Sequence, residues 1–143
     1  IRVLPGITAM LAAAARAGAP LGHDFCAINL SDNLKPWALI EKRLRFAVEA
    51  DFAMAFYNPR SKSRPEGFAR ALDVLKTACS DSRPVIFARA VSTPDEALNV
   101  VPLPECEPEM ADMRTVVLVG SSSTRLIARD GAPFVYTPRS AAP

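Results

Sequence analysis

Three short stretches carry the groups best suited to hold a small molecule: Pro5-Gly6-Ile7-Thr8-Ala9, Tyr57-Asn58-Pro59-Arg60 and Arg89-Ala90-Val91-Ser92. In the first, Pro5 fixes its own φ and turns Leu4 away from the helical region, while Gly6 tolerates a tight turn. Thr8 then offers a hydroxyl where a helix starts, as an N-cap. The second stretch sets a phenol, an amide and a guanidinium directly after an apolar run, and the third follows another such run. Each also has a plain structural role open to it: Tyr57 as an aromatic at the core edge, Arg60 and Arg64 as solvated loop charges. A fourth stretch, Gly120-Ser121-Ser122-Ser123-Thr124-Arg125, could cradle a phosphate with amides and hydroxyls, but lacks the lysine and the glycine spacing of a P-loop. His23 beside Asp24 could form an acid–base pair or be a satisfied structural histidine. No G-x-S-x-G elbow is present. One histidine and three cysteines, Cys26, Cys79 and Cys106, without a C-x-x-C, do not make a structural zinc site and read as reduced thiols.

The elements that must position these stretches alternate. Thr8–Ala17 is a helix closed by Gly18 at C′. Phe25–Leu30 is a strand, followed by the polar Ser31-Asp32-Asn33 and a helix beginning at Pro36, with Trp37, Ile40, Leu44 and Val48 on one face. Phe52–Tyr57 is an uncharged strand buried on both faces. Phe68, Leu72, Leu75 and Cys79 form the stripe of the next helix, and Pro84–Ala88 is a third strand. Val100-Val101 favours a strand over the helix that Ser92-Thr93-Pro94 could start. Glu105–Asp112 is a short acidic helix or turn. Thr115–Gly120 is the clearest buried strand, Pro133–Tyr136 a last edge strand, and Ser140–Pro143 should fray. Alternation early and closely spaced strands later predict an α/β fold, a mixed open sheet with flanking helices. In such sheets ligands bind outside the carboxyl ends of the strands, where the three stretches fall.

The bulk numbers bound the function classes. A chain of 143 residues, half of them apolar, suits one domain with a real core. A net charge of +2, with scattered basic residues, does not suggest a nucleic-acid partner. No apolar run is long enough for a membrane span, and no signal-peptide pattern opens the chain. A cytoplasmic protein is the expectation.

The ordered combination of motifs adds a resemblance. Pro5-Gly6-Ile7-Thr8-Ala9, Gly18-Ala19-Pro20-Leu21-Gly22-His23-Asp24-Phe25, Leu30-Ser31-Asp32, Pro36-Trp37, Ile40-Glu41-Lys42-Arg43, Phe56-Tyr57-Asn58-Pro59-Arg60-Ser61 and Val117-Leu118-Val119-Gly120-Ser121-Ser122 resemble the tetrapyrrole methylase family. Gly22-His23-Asp24-Phe25 and Tyr57-Asn58-Pro59-Arg60 are similar to its branch of precorrin-3B C-17-methyltransferases of cobalamin biosynthesis. The resemblance implies methyl transfer from S-adenosylmethionine to a corrinoid precursor, at C-17 and with ring contraction to precorrin-4, by a homodimeric enzyme of two α/β domains. It places cofactor contacts at Pro5, Gly6, Thr8 and Ala9, at Tyr57 and Asn58, and near Ala90 or Val91. It puts His23, Asp24, Ser31, Asp32 and Arg60 toward the tetrapyrrole, and assigns no general base.

The family's first domain, with its Gly-x-Gly-x-Gly loop, is not among these residues. Residues 1–143 are therefore expected to be the second domain, with Ile1–Val3 as a linker strand. A micromolar site has about −8 kcal/mol to draw on, so half of it would bind at roughly millimolar. The Ser92-Thr93-Pro94-Asp95 turn departs from the branch, where a glycine is expected. Two other readings stand beside this one: a non-catalytic half-enzyme or dimerisation module, and an unrelated phosphate- or nucleotide-binding α/β domain using Ser121–Arg125.

Overall fold

A computed structural model describes residues 1–79 and 82–140. The first helix, α1 (Ala9–Ala17), leads into a two-residue strand β1 (Gly18–Ala19), then β2 (Phe25–Asn29), α2 (Trp37–Glu49), β3 (Ala53–Tyr57), α3 (Glu66–Ala78) and β4 (Pro84–Arg89). After β5 (Ala97–Pro102) come two 3₁₀ turns, Leu103–Glu105 and Pro108–Met110, in place of the expected acidic helix. The chain continues through β6 (Thr115–Val119), β7 (Arg125–Ile127) and β8 (Phe134–Tyr136).

Five strands form the main sheet in the order β2-β3-β6-β4-β5. β2 and β3 are parallel, while β6 pairs antiparallel with both β3 and β4. β3 and β4 therefore run the same way without touching, and β6 fills the slot between them. Phe56 and Phe87 both stand level with Val117 in this register. The mixed sheet matches the sequence expectation.

The central strands are uncharged because both faces are covered. Met54, Phe56, Val85, Phe87, Val117 and Val119 face α2 and α3, where Ile40, Leu44, Phe68 and Leu75 complete the core. Phe68 meets Phe87 edge to face at 5.9 Å. On the opposite face Ala55, Ile86, Ala88, Val116 and Leu118 meet Ala13, Ala14 and Ala17 of α1. Alanines on both sides let this helix lie close to the sheet, so its position is set by backbone approach rather than by large side chains.

Several local expectations change. Ile1–Val3 is not a strand: the residues through Thr8 have no regular structure, and Ile1, Val3 and Leu4 are exposed. A strand exists by pairing, and neither sheet pairs with this segment. Pro36 sits just outside α2, at φ −68° and ψ 148°. A second, three-stranded sheet, β1-β8-β7, is added to the fold, and its middle strand is β8, which was expected at an edge. Gly18 opens that sheet at φ 131°, where a Cβ would lie 2.6 Å from the Val135 carbonyl oxygen. Of the expected frayed end, residues 141–143 lie outside the described residues.

Candidate cofactor cleft

The carboxyl ends of β3 and β4 and the beginning of β6 converge on one side of the main sheet. There α1 stands over them and leaves an open cleft of about 800 Å³, within the ~300–1,000 Å³ usual for small-molecule sites. Its walls are mostly apolar: Ile7 and Leu11 above, Ala88 and Val116 as floor, Met113 and Val91 at the sides. The polar residues of the lining come from the Tyr57-Asn58 turn, from Ser92 of the Ala90-Val91-Ser92 turn, and from Arg16, Arg114 and Thr115.

Those turns are held in uncommon conformations. Asn58, Ala90 and Ser92 have φ of 51°, 49° and 64°. Non-glycine residues in this left-handed region are costly and gather at functional sites. Around Ala90 the conformation is fixed from both directions. Its N–H donates to the Arg114 carbonyl at 2.9 Å, and its carbonyl accepts from Thr93 Oγ1 at 2.8 Å and Thr93 N–H at 3.1 Å. The turn without glycine thus adopts glycine-like backbone at Ala90 and Ser92.

Tyr57 ties α1 to the sheet. Its hydroxyl accepts the Met10 N–H at 3.0 Å and contacts Thr8 Oγ1. Thr8 therefore does not cap α1 with its own hydroxyl. The phenol at the end of β3 caps the helix from across the cleft, satisfying an amide that the helix cannot.

Both arginines in the cleft lining are paired. Arg16 meets Glu96 at 2.7 Å, and Arg114 meets Asp95 at 2.9 Å. The Ser92 N–H and then the Arg16 guanidinium hold the Glu96 carboxyl below the usual range. At the end of β4, Asp112 accepts from Arg89, Thr115 Oγ1 and the Arg114 N–H. Partial burial pushes its carboxyl up, but the Thr115 hydroxyl and the Arg89 guanidinium outweigh this and leave it lowered.

Of the expected cofactor contacts, Ala9, Tyr57, Asn58, Ala90 and Val91 line the cleft. Thr8 stands behind Tyr57. Pro5 and Gly6 are exposed outside the lining, and a Cβ at Gly6 would meet nothing within 4 Å. The structure does not bring His23 and Asp24 there: they precede β2, whereas the cleft lies beyond the other end of the strands. Ser31 and Asp32 follow β2 at the cleft end of the sheet but are not in the cleft lining; Asp32 lines a neighbouring pocket, and Ser31 accepts from Arg64 of that pocket. Arg60 is turned to Glu109 at 3.5 Å, with its Nε buried and without a partner.

The cleft residues that sequence reasoning missed are Leu11, Ala12, Ala15, Arg16, Ala88 and Met113–Val116. No local signal marked them. The phosphate reading of Ser121–Arg125 meets an obstacle of charge. Asp51 accepts the Ser122 N–H at 2.8 Å and its hydroxyl at 2.6 Å, so a carboxylate already occupies the donors that a phosphate would use. Among the described residues, no group of three or more His, Cys, Asp or Glu could hold a metal ion, and no helix is long and apolar enough to cross a membrane.

An open mixed sheet whose strand ends share one mostly apolar cleft has the form of an α/β domain with a candidate small-molecule site. Comparison with known proteins narrows this. The chain belongs to the Tetrapyrrole (Corrin/Porphyrin) Methylases, whose family model matches residues 1–107. It is 57% identical over 138 residues to a precorrin-3B C(17)-methyltransferase from Sinorhizobium sp., covering 96% of this chain and 54% of that protein. It is 44% identical to a probable cobalt-factor III C(17)-methyltransferase of Salmonella typhimurium, over 97% of this chain and 56% of the relative. The chain thus spans about half the length of these curated relatives.

The crystal structure of the methyltransferase CobJ superimposes with a TM-score of 0.89 at 68% identity, over 96% of this chain and 56% of that one. A uroporphyrin-III C-methyltransferase from Thermus thermophilus, complexed with S-adenosylhomocysteine, has the same fold at TM-score 0.53 and 22% identity.

Proposed function

We propose that this chain forms the second domain of a precorrin-3B C-17-methyltransferase, and that its cleft is one wall of the S-adenosylmethionine site. The observation that carries the reading is the convergence of Tyr57-Asn58, Ala90-Val91 and the start of α1 on one cleft. The relatives' names support the substrate class, and the Thermus neighbour's bound S-adenosylhomocysteine supports the cofactor.

The residues present fit that cofactor. Apolar walls suit an adenine ring, and the backbone of the two turns offers neutral donors and acceptors. With Arg16 and Arg114 both paired to carboxylates, no unneutralised arginine in the lining opposes a sulfonium cation. When bound, S-adenosylmethionine supplies an electrophilic methyl group. What the protein contributes is position. Tyr57 and the Ala90 turn fix the wall, Ile7, Leu11 and Met113 offer exposed apolar surface for the ligand to cover, and the strand ends set the direction from which the corrinoid carbon meets the methyl group. In the whole enzyme the reaction is methylation at C-17 with ring contraction to precorrin-4, in a cytoplasmic homodimer.

Calorimetric titration with S-adenosylhomocysteine tests the site. Binding by the 143-residue chain is expected near millimolar, about half the free energy of a micromolar site. Ala12→Phe, which fills the cleft, should abolish it, and Ser122→Ala should leave it intact. The reverse pattern would move the ligand to the Ser121–Arg125 loop and overturn the reading.

A further inference from the structure

The β2–α2 and β3–α3 loops enclose a second pocket of about 230 Å³, which shares Asn58 with the cofactor cleft. Its chemistry is different. Arg64 directs Nη1 at the Ser31 hydroxyl, and Arg70 lies over the Trp37 ring with its guanidinium carbon 4.3 Å from the centroid. An uncharged partner fixes the direction of each guanidinium, and Glu41, on the neighbouring helix, feels the Arg70 charge without forming an ion pair with it.

Arg16, Arg45, Arg83, Arg89 and Arg114, by contrast, each pair with a carboxylate. Asp32 and Glu66 line the same pocket. Among the described residues, neither forms an ion pair with Arg64 or Arg70. One residue beyond the pocket wall at Pro59, the Arg60 Nε is buried and unpartnered.

The wider charge pattern agrees. The two loops and the first five residues of α3 carry Lys35, Arg60, Lys62, Arg64 and Arg70 against Asp32 and Glu66. By sequence, these segments hold five cations and two carboxylates, against twelve and thirteen in the rest of the chain; Glu109, from outside them, meets Arg60 at 3.5 Å and leaves an excess of two cations. The positive charge of the protein is concentrated at the rim beside the cleft. Below the ~300 Å³ lower end of small-molecule sites, the pocket is too small for a macrocycle but has room for one acid side chain projecting from it.

We propose that this pocket is a carboxylate subsite, in which Arg64 and Arg70 hold an acid side chain of a macrocyclic polycarboxylate whose ring edge faces the cofactor cleft. Planar guanidinium donors take a carboxylate in a fixed orientation, so the subsite registers the ring and selects which carbon is presented. Arg64 and Arg70 are positioning residues. The proposal rests on the methyltransferase reading for the identity of the macrocycle.

The single tryptophan, Trp37, lies in this pocket and reports its occupancy. The experiment titrates the chain with uroporphyrin, an octacarboxylate porphyrin, and follows quenching of Trp37, with S-adenosylhomocysteine binding measured separately by calorimetry. Arg64→Ala is expected to weaken uroporphyrin about tenfold, the loss of one charged hydrogen bond, with Arg64→Lys intermediate and Arg139→Ala unchanged. S-adenosylhomocysteine affinity should be the same in all four proteins. Succinate, a free dicarboxylate, should bind at least ~10-fold more weakly than uroporphyrin, because it lacks the ring contacts.

Unchanged uroporphyrin affinity in Arg64→Ala, an equal loss in Arg139→Ala, or succinate binding as tightly as the porphyrin would each overturn the subsite. Loss of S-adenosylhomocysteine binding in the unmodified chain, with the Arg64 effect intact, would refute the cofactor reading and leave the carboxylate subsite standing.

Discussion

Replacing Tyr57 by Phe removes one oxygen and keeps the ring, which isolates the cap that joins α1 to β3. The phenol accepts the Met10 N–H at 3.0 Å. Without it, an amide in the first turn of the helix loses its partner. Loss of a capping acceptor costs about 1 kcal/mol, within a range of about 0.5–2. Thr8 sits at φ −71° and ψ 149°, a backbone already suited to an N-cap, and its hydroxyl is freed by the substitution. That relief keeps the cost of the single change near ~1 kcal/mol rather than at the upper end. For a chain of this length, such a loss lowers the melting temperature by roughly 3–4 °C. Urea unfolding should show a lower midpoint with an unchanged slope, because the exposed surface is the same. The cycle completed with Thr8→Ala should reveal coupling of about 0.5 kcal/mol or more, since both hydroxyls serve one helix end. A midpoint shift equivalent to less than ~0.3 kcal/mol together with strict additivity would refute the cross-cleft cap.

Two further outcomes follow from the fold. Gly18→Ala should destabilise by more than ~2 kcal/mol, combining the strain of an alanine at positive φ with a backbone clash against Val135; a loss of less than ~1 kcal/mol in urea titration, the ordinary cost of a point change, would mean that β1 is not held as described. Burial pushes the Cys106 thiol up to about 12, against the opposing charge of Lys76. The fold thus favours the protonated thiol, so this contribution to stability is full below about pH 8.5 and is lost as pH rises toward the folded value. At pH 8 a thiol reagent should leave Cys106 unmodified in the native protein and modify it in urea, and equal rates in the two states would contradict the burial.

How legible each part was depended on whether its cause was local. Phe52–Tyr57, Pro84–Ala88 and Thr115–Gly120 were readable as strands because burial on both faces leaves continuous apolar runs. The helical stripe of Phe68, Leu72 and Leu75 was equally plain. β1 was not, since two residues become a strand only through pairing with Val135 and Tyr136, far along the chain. Thr8 was read as a cap from its type and place, and a phenol 49 residues away took that role. The cleft was half legible. Tyr57, Asn58, Ala90 and Val91 follow strands whose direction could be guessed, but Met113–Val116 enter it only because β6 runs backward between β3 and β4.

That reversed strand also dictates an order of assembly. β3 and β4 share no hydrogen bonds with each other, and each finds its inner partner only in residues 115–119. While the protein is being synthesised, everything up to β5 can emerge with two strand edges still open. The sheet cannot grow outward from one seed; it waits for a late segment to slot into its middle. Contacts of such long sequence separation are slow to form and leave apolar edges exposed meanwhile. A nascent chain stalled before Thr115 is therefore the stage at which this protein would most need a chaperone.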